Sequence, residues 1–400
     1  MRLFMYLFCF AAGIGIQPIS HFQFYGNFTI IDLVIIVFFP LYLLQRGTLI
    51  VPKNGRKIIF VIFLLALWQI VSLLFSPVEI KIANFGPNVR LLYYVLILLL
   101  FFETIQEEIH LVQMSQYFIS GLIINLVHSF YLWSLEPTYF WGVPILNNTY
   151  LSRNPLYYYI IFGIAITISL AKLSNNLKLS YFYYFFATIL TMFAFITFSK
   201  GAWVLLIVIW GLFIIMYLRK AIVPFISVLG LIFLFSNFIS LNIQKVFFVM
   251  IHRISGSMPT MLERIEFIRT GIRMGLDNFL CGIGLRNFSY VSAKYSSLGQ
   301  MSDPHNVYIM IFSETGIIGL ILYIFIFLFI IHDLKKTLKF IHQRKDNYSL
   351  VVHWKTAFIM LIIILLLNMV TGMAFTDKFF YFFLIYAEGL RRIAQKKDYI

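Results

Sequence analysis

Residues 305–331, HNVYIMIFSETGIIGLILYIFIFLFII, form a long and largely apolar stretch that indicates the fold class. Glu314 is its single carboxylate. A helix needs about 20 apolar residues to cross a bilayer, and this stretch is long enough to do so. Comparable apolar runs recur along the whole chain. They predict about twelve membrane-spanning segments, at residues 3–17, 28–45, 58–76, 91–102, 112–132, 155–171, 181–198, 202–218, 221–239, 305–331, 357–371 and 379–390.

The composition agrees with a membrane protein. Hydrophobic residues make up 61% of the 400 residues and charged residues 12%, and the mean hydropathy is +0.89. Soluble domains have roughly 45–50% apolar and about 25% charged residues, so a water-soluble particle could not bury this chain. The sequence therefore predicts an all-α, polytopic integral membrane protein in which residues 1–400 form one membrane domain.

The net charge of +15 bears on orientation in the membrane, and we expect no nucleic-acid partner. If the N-terminus is inside, nineteen of the 31 Lys and Arg residues fall on that side. Seven others lie in the long stretch 240–304 and five in short loops outside. Because positive charge in short loops marks the cytoplasmic side, this predicts two cytoplasmic termini. Cys9 and Cys281 are the only cysteines, so a disulfide framework or a thiolate metal site is excluded.

The polar stretch 240–304 is the predicted extracytoplasmic loop, and we expect the chemistry there. TMLE at residues 260–263 is a capping box, which predicts a helix start. Apolar residues then follow at helical spacing and predict an amphipathic helix that lies on the membrane surface or caps the bundle. These residues are Met261, Ile265, Ile268, Ile272 and Leu276.

Several basic residues near this loop are candidate phosphate ligands. Arg269 and Arg273 line one flank of the helix, where a solvated face or a lipid-phosphate contact is the plainer interpretation. Arg264 stands alone on the opposite flank. Lys200 separates two spans with almost no loop, and it either marks the membrane interface or faces a phosphate group. Arg153 offers a second cation where another span begins.

His305 lies where the loop ends and the next helix begins, in DPHN at residues 303–306. Proline suits the first turn of a helix, so we expect His305 at the helix N-terminus, where the helix dipole favours a neutral ring that can accept a proton. A capping histidine at the membrane interface is the alternative. Gly316 and Gly319 predict close helix packing. Glu314 falls on the opposite face, about three turns deep, where a carboxylate is costly and usually functional or paired.

These features resemble the O-antigen ligase and O-antigen polymerase family of bacterial polysaccharide-assembly membrane proteins. SKGAW at 199–203 resembles the family's Ser-Arg-Gly-Ala motif, with lysine in place of arginine. Arg264, followed by GIGLRNF at 282–288, resembles the family's loop pattern. HNVY at 305–308, followed by ETGIIG at 314–319, resembles the signature that opens the next helix. The matches cover residues 198–322.

The resemblance implies a metal-independent glycosyltransferase without a cofactor, multi-pass in the bacterial cytoplasmic membrane. Its donor would be a glycan on undecaprenyl pyrophosphate, and its acceptor a hydroxyl of a glycan or lipid on the outer face. O-antigen, capsule or exopolysaccharide assembly would be the setting, with membrane lipid and other polysaccharide-assembly proteins as partners. His305 would be the base, and Lys200 and Arg264 would hold the pyrophosphate. The expected substrate-binding residues are Asn306, Arg153, Arg269, Arg273 and Glu314.

The sequence leaves polymerase and ligase open, with a slight preference for polymerase. Two rival classes are a transporter or flippase of lipid-linked oligosaccharide and a cell-shape peptidoglycan polymerase. A transporter should carry polar or charged residues in the middle of several spans. Here the polar residues are concentrated in one loop, which favours the glycosyltransferase.

Overall fold

The computed structural model describes residues 2–14, 37, 40, 55–77, 86–102, 104–135, 138–140, 143–145, 153–197, 199–217, 258–301, 303–343, 348–370 and 377–396. The predicted spans 28–45 and 221–239 lie outside these residues, apart from positions 37 and 40. The first part of the predicted loop, 240–257, also lies outside them.

The described residues form twelve helices, and most of them coincide with predicted spans. Their bounds are α1 Arg2–Ile14, α2 Arg56–Leu74, α3 Gly86–Phe101, α4 Glu108–Leu135, α5 Arg153–Leu173, α6 Leu177–Ile196, α7 Lys200–Tyr217, α8 Met258–Asp277, α9 Phe288–Tyr295, α10 Val307–His342, α11 Tyr348–Val370 and α12 Lys378–Lys396. A short antiparallel hairpin between α4 and α5, β1 Thr138–Phe140 and β2 Val143–Ile145, departs from the all-α prediction.

Seven of these described helices are long and apolar enough to cross a membrane, namely α2, α4, α5 from Leu156 onward, α6, α7, α10 and α11. Helices α1 and α3 are apolar but shorter. Helix α12 covers the predicted span 379–390 but is not among the seven, and its second half carries Glu388, Arg391 and Arg392. The chain is therefore a multi-pass membrane protein, and the prediction of about twelve spans is confirmed in part.

The centre of the bundle is formed by α5 and the first half of α12. Every residue from Phe379 to Tyr386 is buried, as are Leu156 to Ile166 of α5. A helix that is apolar on all sides must be surrounded by other helices or by lipid. Here it is surrounded by helices, because α12 packs against α1, α3, α4, α10 and α11, and α5 packs against α4, α6, α7 and α11.

The contacts also define the two ends of the bundle. At one end the start of α11 meets the start of α4 and the end of α7, through Ser349 with Glu108 and Lys355 with the Met216 carbonyl. At the other end the start of α10 meets the end of α11, through Asn306 with the Met369 carbonyl. We call these the Lys355 end and the His305 end.

Helix α8 packs lengthwise on the first three turns of α10, at the His305 end. Gly271 faces Ile309 and Gly275 faces Phe312, so the two helices run in the same direction. Small residues allow this close approach. The buried face of α8 is thus formed by Thr270, Gly271, Met274 and Gly275.

The face of α8 that packs on α10 is not its apolar stripe, which was predicted to lie on the membrane surface or to cap the bundle. Ile272 and Leu276 of this stripe are 37% and 58% exposed, and Leu262 beside them is 62% exposed. The glycine face can come closer to α10 than branched side chains would allow, so it forms the helix contact. The helix also begins at Met258, two residues before the Thr260 that the capping box predicts as its cap.

Candidate functional site

A break in α10 shapes the site. Gly316 has φ 68° and ψ −170°, inside a helix that is otherwise regular. Such a break frees carbonyl groups before it and amide groups after it, and these need new partners when buried. Gly316 was predicted to allow helix packing. Instead it ends one helical segment and starts another, and a Cβ there would overlap the Leu280 carbonyl.

The freed backbone groups are satisfied by α2 and by the loop after α8. The Ser313 and Glu314 carbonyls accept from the amides of Ile283 and Gly284, each at 2.9 Å. Helix α2 supplies further donors, because its Ser72 hydroxyl donates to the Glu314 carbonyl at 2.9 Å and its Trp68 indole to the Thr315 carbonyl at 2.8 Å. The Ile317 amide donates to the Phe279 carbonyl at 2.8 Å.

Two glycines let this loop enter the break. Gly282 and Gly284 have φ of 69° and 87°, a region that favours glycine. A Cβ at Gly282 would also overlap the Glu314 backbone. GIG at 282–284 thus forms a tight turn that fixes the loop against α10.

The Glu314 side chain serves the same loop. It is 5% exposed, and its Oε1 accepts from the Phe288 amide at 3.3 Å, at the start of α9. A carboxylate at a helix N-terminus satisfies free amides and interacts favourably with the helix dipole. Glu314 thus lies beside the last turn of α2, near Ser72, and holds α9 in place. A contact with substrate stays a prediction.

His305 is held by an aspartate that sequence reasoning missed. The Asp303 carboxylate accepts from the His305 amide at 2.7 Å and lies 3.0 Å from its Nδ1. The imidazole is 40% exposed. Burial raises the pKa of Asp303, but the hydrogen bonds and charge of His305 outweigh this and set the pKa below its usual value. With Nδ1 directed at Asp303, Nε2 is the nitrogen available to a ligand.

The start of α10 differs from its prediction by two residues. The helix begins at Val307, and Asn306 is its cap, accepting from the Ile309 amide at 3.1 Å. Pro304 and His305 therefore precede the helix, and His305 has φ 50°. The physical reason is that the Asn306 side chain is a better cap than proline or histidine. The Asn306 amide also donates to the Met369 carbonyl at 3.3 Å.

Arg264 lies close to His305 through α8. The ring of Phe267 stacks at a tilt on His305, with centroids 5.7 Å apart. Arg264 precedes Phe267 by three residues, one helical turn, so the two side chains are neighbours. Arg264 is exposed and on the side of α8 that carries Gly271 and Gly275, which faces the bundle. Across from it lies Tyr157 of α5, within electrostatic range of the guanidinium.

Tyr157 also contacts the SKGAW segment. Its hydroxyl forms a hydrogen bond with Ser199 and leaves no room for a Cβ on Gly201. Lys200 lies between these two residues as the first residue of α7 and is half-buried. The structure therefore brings the start of α7, Arg264 and His305 to one end of the bundle. Nothing in the sequence distinguishes Tyr157 from the other tyrosines among the 24 in the chain, so its contacts with two of the motifs could not be predicted.

The other predicted cations lie at the same end of the bundle. Arg153 is the first residue of α5, four residues before Tyr157. Arg273 donates to the Tyr295 carbonyl at 3.3 Å, which ties α8 to the end of α9. Arg269 is exposed on α8, one turn before Arg273. Across the described ranges, no group of three or more His, Cys, Asp or Glu side chains is arranged to hold a metal ion.

The fold and the site define a class: a multi-pass membrane protein with a histidine, an aspartate and basic residues at one end of its bundle. Residues 185–324 match the model of the family described as O-antigen ligase, so this segment of the chain is similar to that family. The match contains Lys200, Arg264 and His305, so the resemblance drawn from the motifs is confirmed. The matched family is one of membrane glycosyltransferases that act on lipid-linked glycans. No curated protein matches the chain.

Proposed function

We propose that the chain transfers a glycan from an undecaprenyl pyrophosphate carrier to an acceptor hydroxyl at the His305 end of the bundle. This end would face the outside of the cytoplasmic membrane, as the distribution of basic residues predicts. The setting would be O-antigen, capsule or exopolysaccharide assembly. The observation that carries the proposal is the Asp303–His305 pair, next to Phe267 and one turn of α8 from Arg264.

In the proposed reaction His305 is the general base. The acceptor oxygen attacks the anomeric carbon of the donor sugar while its proton passes to His305 Nε2. The bond between that carbon and the pyrophosphate oxygen breaks, and the pyrophosphate leaves with the electron pair. Asp303 positions the ring and stabilises the imidazolium that forms, as carboxylates do beside catalytic histidines.

Lys200 and Arg264 would stabilise the leaving group. Pyrophosphate gains negative charge as it departs, so fixed cations bind the transition state more strongly than the ground state. Lysine is a point charge, whereas arginine offers a planar fork that can bind two oxygens. Lys200 in place of the family's arginine thus predicts a weaker contact at this position. The exposed apolar stripe of α8 beside Arg264 suits a donor whose lipid tail remains in the bilayer.

Polymerase is the form of this activity that we prefer, and ligase is the alternative. The two differ in the acceptor, which is another carrier-linked glycan for a polymerase and a lipid-anchored acceptor for a ligase. The test is deletion of the gene followed by analysis of the surface glycan. Loss of long chains with attachment retained supports a polymerase, whereas long chains that are no longer attached support a ligase. An unchanged surface glycan would contradict the proposal.

A further inference from the structure

Helix α8 descends along α10 toward the middle of the bundle, and the loop after it continues in the same direction. Gly271 of α8 lies against Ile309, and eight residues further along both segments the Phe279 carbonyl accepts from the Ile317 amide. The chain then returns through α9 to the start of α10, so it enters and leaves at the His305 end. We call the deepest part, residues 276–284, the α8 tip.

Helix α10 shows how deep the α8 tip lies. Gly316 touches the tip, because a Cβ on it would overlap the Leu280 carbonyl. From Gly316 to Ile331, the last residue of the apolar run, there are 15 residues, or about 22 Å of helix. The hydrocarbon core of a bilayer is about 30 Å thick. With one surface of the core at Ile331, Gly316 lies about 8 Å inside the opposite surface, at the His305 end.

Helix α2 gives a similar depth from an independent contact. Its apolar run begins at Ile58, directly after Lys57, and Ser72 is 14 residues further on, about 21 Å along the helix. The Ser72 hydroxyl donates to the Glu314 carbonyl at 2.9 Å, beside the break that receives the tip. Ser72 therefore lies about 9 Å inside the core surface at the His305 end. Two helices that run in opposite directions thus place the tip within the hydrocarbon.

The tip presents apolar side chains to its surroundings at this depth. Leu276, Phe279 and Leu280 are 58%, 49% and 61% exposed. Their spacing of three and four residues puts them on one face, beside the glycine face that packs on α10. Leu74, two residues beyond Ser72 on α2, is exposed as well, so apolar surface of a membrane span reaches the same level. Acyl chains remove such surface from water, and this is favourable.

The backbone of the tip also meets the requirement for a loop inside hydrocarbon. Irregular backbone at membrane depth is tolerated where protein groups satisfy its amides and carbonyls. The amides of residues 282–284 all donate to protein carbonyls at 2.7–2.9 Å, those of Asn278, Ser313 and Glu314. The turn can therefore lie below the membrane surface without exposing these polar groups to lipid.

Charged side chains near the tip are held by α9. Asp277 is the single charged residue of the tip, and it forms a hydrogen bond with the Tyr295 side chain. One turn earlier, Arg273 donates to the Tyr295 carbonyl at 3.3 Å. Both side chains are thus bonded to the end of α9, and the face formed by Leu276, Phe279 and Leu280 carries no charge.

We propose that the α8 tip is a re-entrant element, inserted among the acyl chains of the half of the bilayer at the His305 end. Helix α8 then crosses the membrane surface instead of lying along it. Val307, at the start of α10, is 24 residues from Ile331, about 36 Å along the helix. His305 therefore lies just outside the core, among the lipid headgroups, and the inserted tip fixes α8 at that height. The inference does not depend on the proposed glycosyl transfer.

The depth of the tip is tested by spin labelling of the full chain in phospholipid nanodiscs. Single cysteines are introduced as Leu280→Cys and Leu262→Cys in a chain with Cys9→Ala and Cys281→Ala, and each carries a nitroxide. Leu262 is the matched control, because it is equally exposed, at 62%, on the same helix but well above the tip. At position 280 the nitroxide should collide several-fold more with oxygen, which dissolves in hydrocarbon, than with a water-soluble nickel chelate. At position 262 the preference should be reversed.

Two results of the labelling overturn the proposal. If the nitroxide at position 280 meets the nickel chelate as often as the one at position 262, the tip lies in water. If it is shielded from both oxygen and nickel, protein covers the tip instead of lipid.

A second measurement compares the cost of a charge at the same two positions. Leu280→Asp should lower the melting temperature in nanodiscs, because a carboxyl group within the hydrocarbon is costly and aspartate is too short to reach the headgroups. Leu262→Asp should leave the melting temperature unchanged. Equal melting temperatures for the two variants would contradict insertion of the tip.

Discussion

The two ends of the helix bundle use their charged side chains differently. At the Lys355 end, Arg391 pairs with Asp333 and is 3.6 Å from Glu388. The ammonium group of Lys355 donates to the Met216 carbonyl at 2.7 Å. These contacts join α10 to α12 and α11 to α7, so these charged side chains are part of the packing.

At the His305 end several charged side chains are presented to the surroundings. Arg264 and Arg269 are exposed, and the His305 ring is 40% exposed although Asp303 holds it. Buried ion pairs fix helices relative to one another, whereas exposed cations can bind an anionic ligand. An exposed cation such as Arg264 is therefore a better candidate for a functional charge than a buried and paired one such as Arg391.

The largest effect is expected at His305. General-base catalysis contributes about 10²–10⁴-fold to a rate, so His305→Ala should reduce transfer from purified carrier-linked donor by about that factor. His305→Lys should not restore activity, because an ammonium group cannot accept a proton at neutral pH. The control is His342→Ala, which removes an exposed histidine at the Lys355 end and should retain full activity. A rate for His305→Ala within a few-fold of the native chain would refute the base assignment.

The two cations of the His305 end come next. Lys200→Ala and Arg264→Ala should each cost about 2–4 kcal/mol of transition-state stabilisation, while Lys200→Arg should retain or improve activity because the guanidinium fork fits phosphate better. Arg391→Ala is the contrasting change: it should lower the free energy of unfolding by about 3–5 kcal/mol without altering activity per folded molecule. Near-native activity of Lys200→Ala, at normal protein levels, would make this residue a membrane-interface lysine.

A smaller effect is expected at Asp303, which positions His305 and does not touch the reacting atoms in the proposed mechanism. Asp303→Asn should lower kcat about tenfold, a part of the general-base contribution, and leave the KM for donor unchanged. Asp303→Glu should recover part of the rate. If Asp303→Asn has the native kcat, the carboxylate serves only the turn before α10.

The last prediction concerns which end of the bundle faces outward, and its substitutions should have the smallest effect on activity. Single cysteines are introduced as Ser296→Cys and Lys339→Cys in a chain whose Cys9 and Cys281 are replaced, with no expected loss of activity. An impermeant maleimide applied to intact cells should label only the cysteine at position 296. Labelling at position 339 alone would invert the orientation and place the proposed site inside the cell.

The class of protein and most of the helices follow from the sequence alone. The apolar runs 58–76 and 357–371 predicted α2 and α11. A helix that crosses the membrane needs a long apolar run, and such a run can be recognised from the local sequence. The motifs around Lys200, Arg264 and His305 also indicated the resemblance to the O-antigen ligase family, because they lie within the matched segment 185–324.

How these helices and motifs contact one another depends on the tertiary structure. The break at Gly316 is stable because Ser72, Trp68 and the loop amides satisfy the freed backbone groups, and these partners are distant in sequence. The packed face of α8 was likewise decided by contact with α10, which glycines allow and the apolar stripe does not. The link between Tyr157 and Arg264 arises from helices that are brought together in the bundle. Local sequence determines which segments form helices, whereas contacts between distant segments determine which side chains share a site.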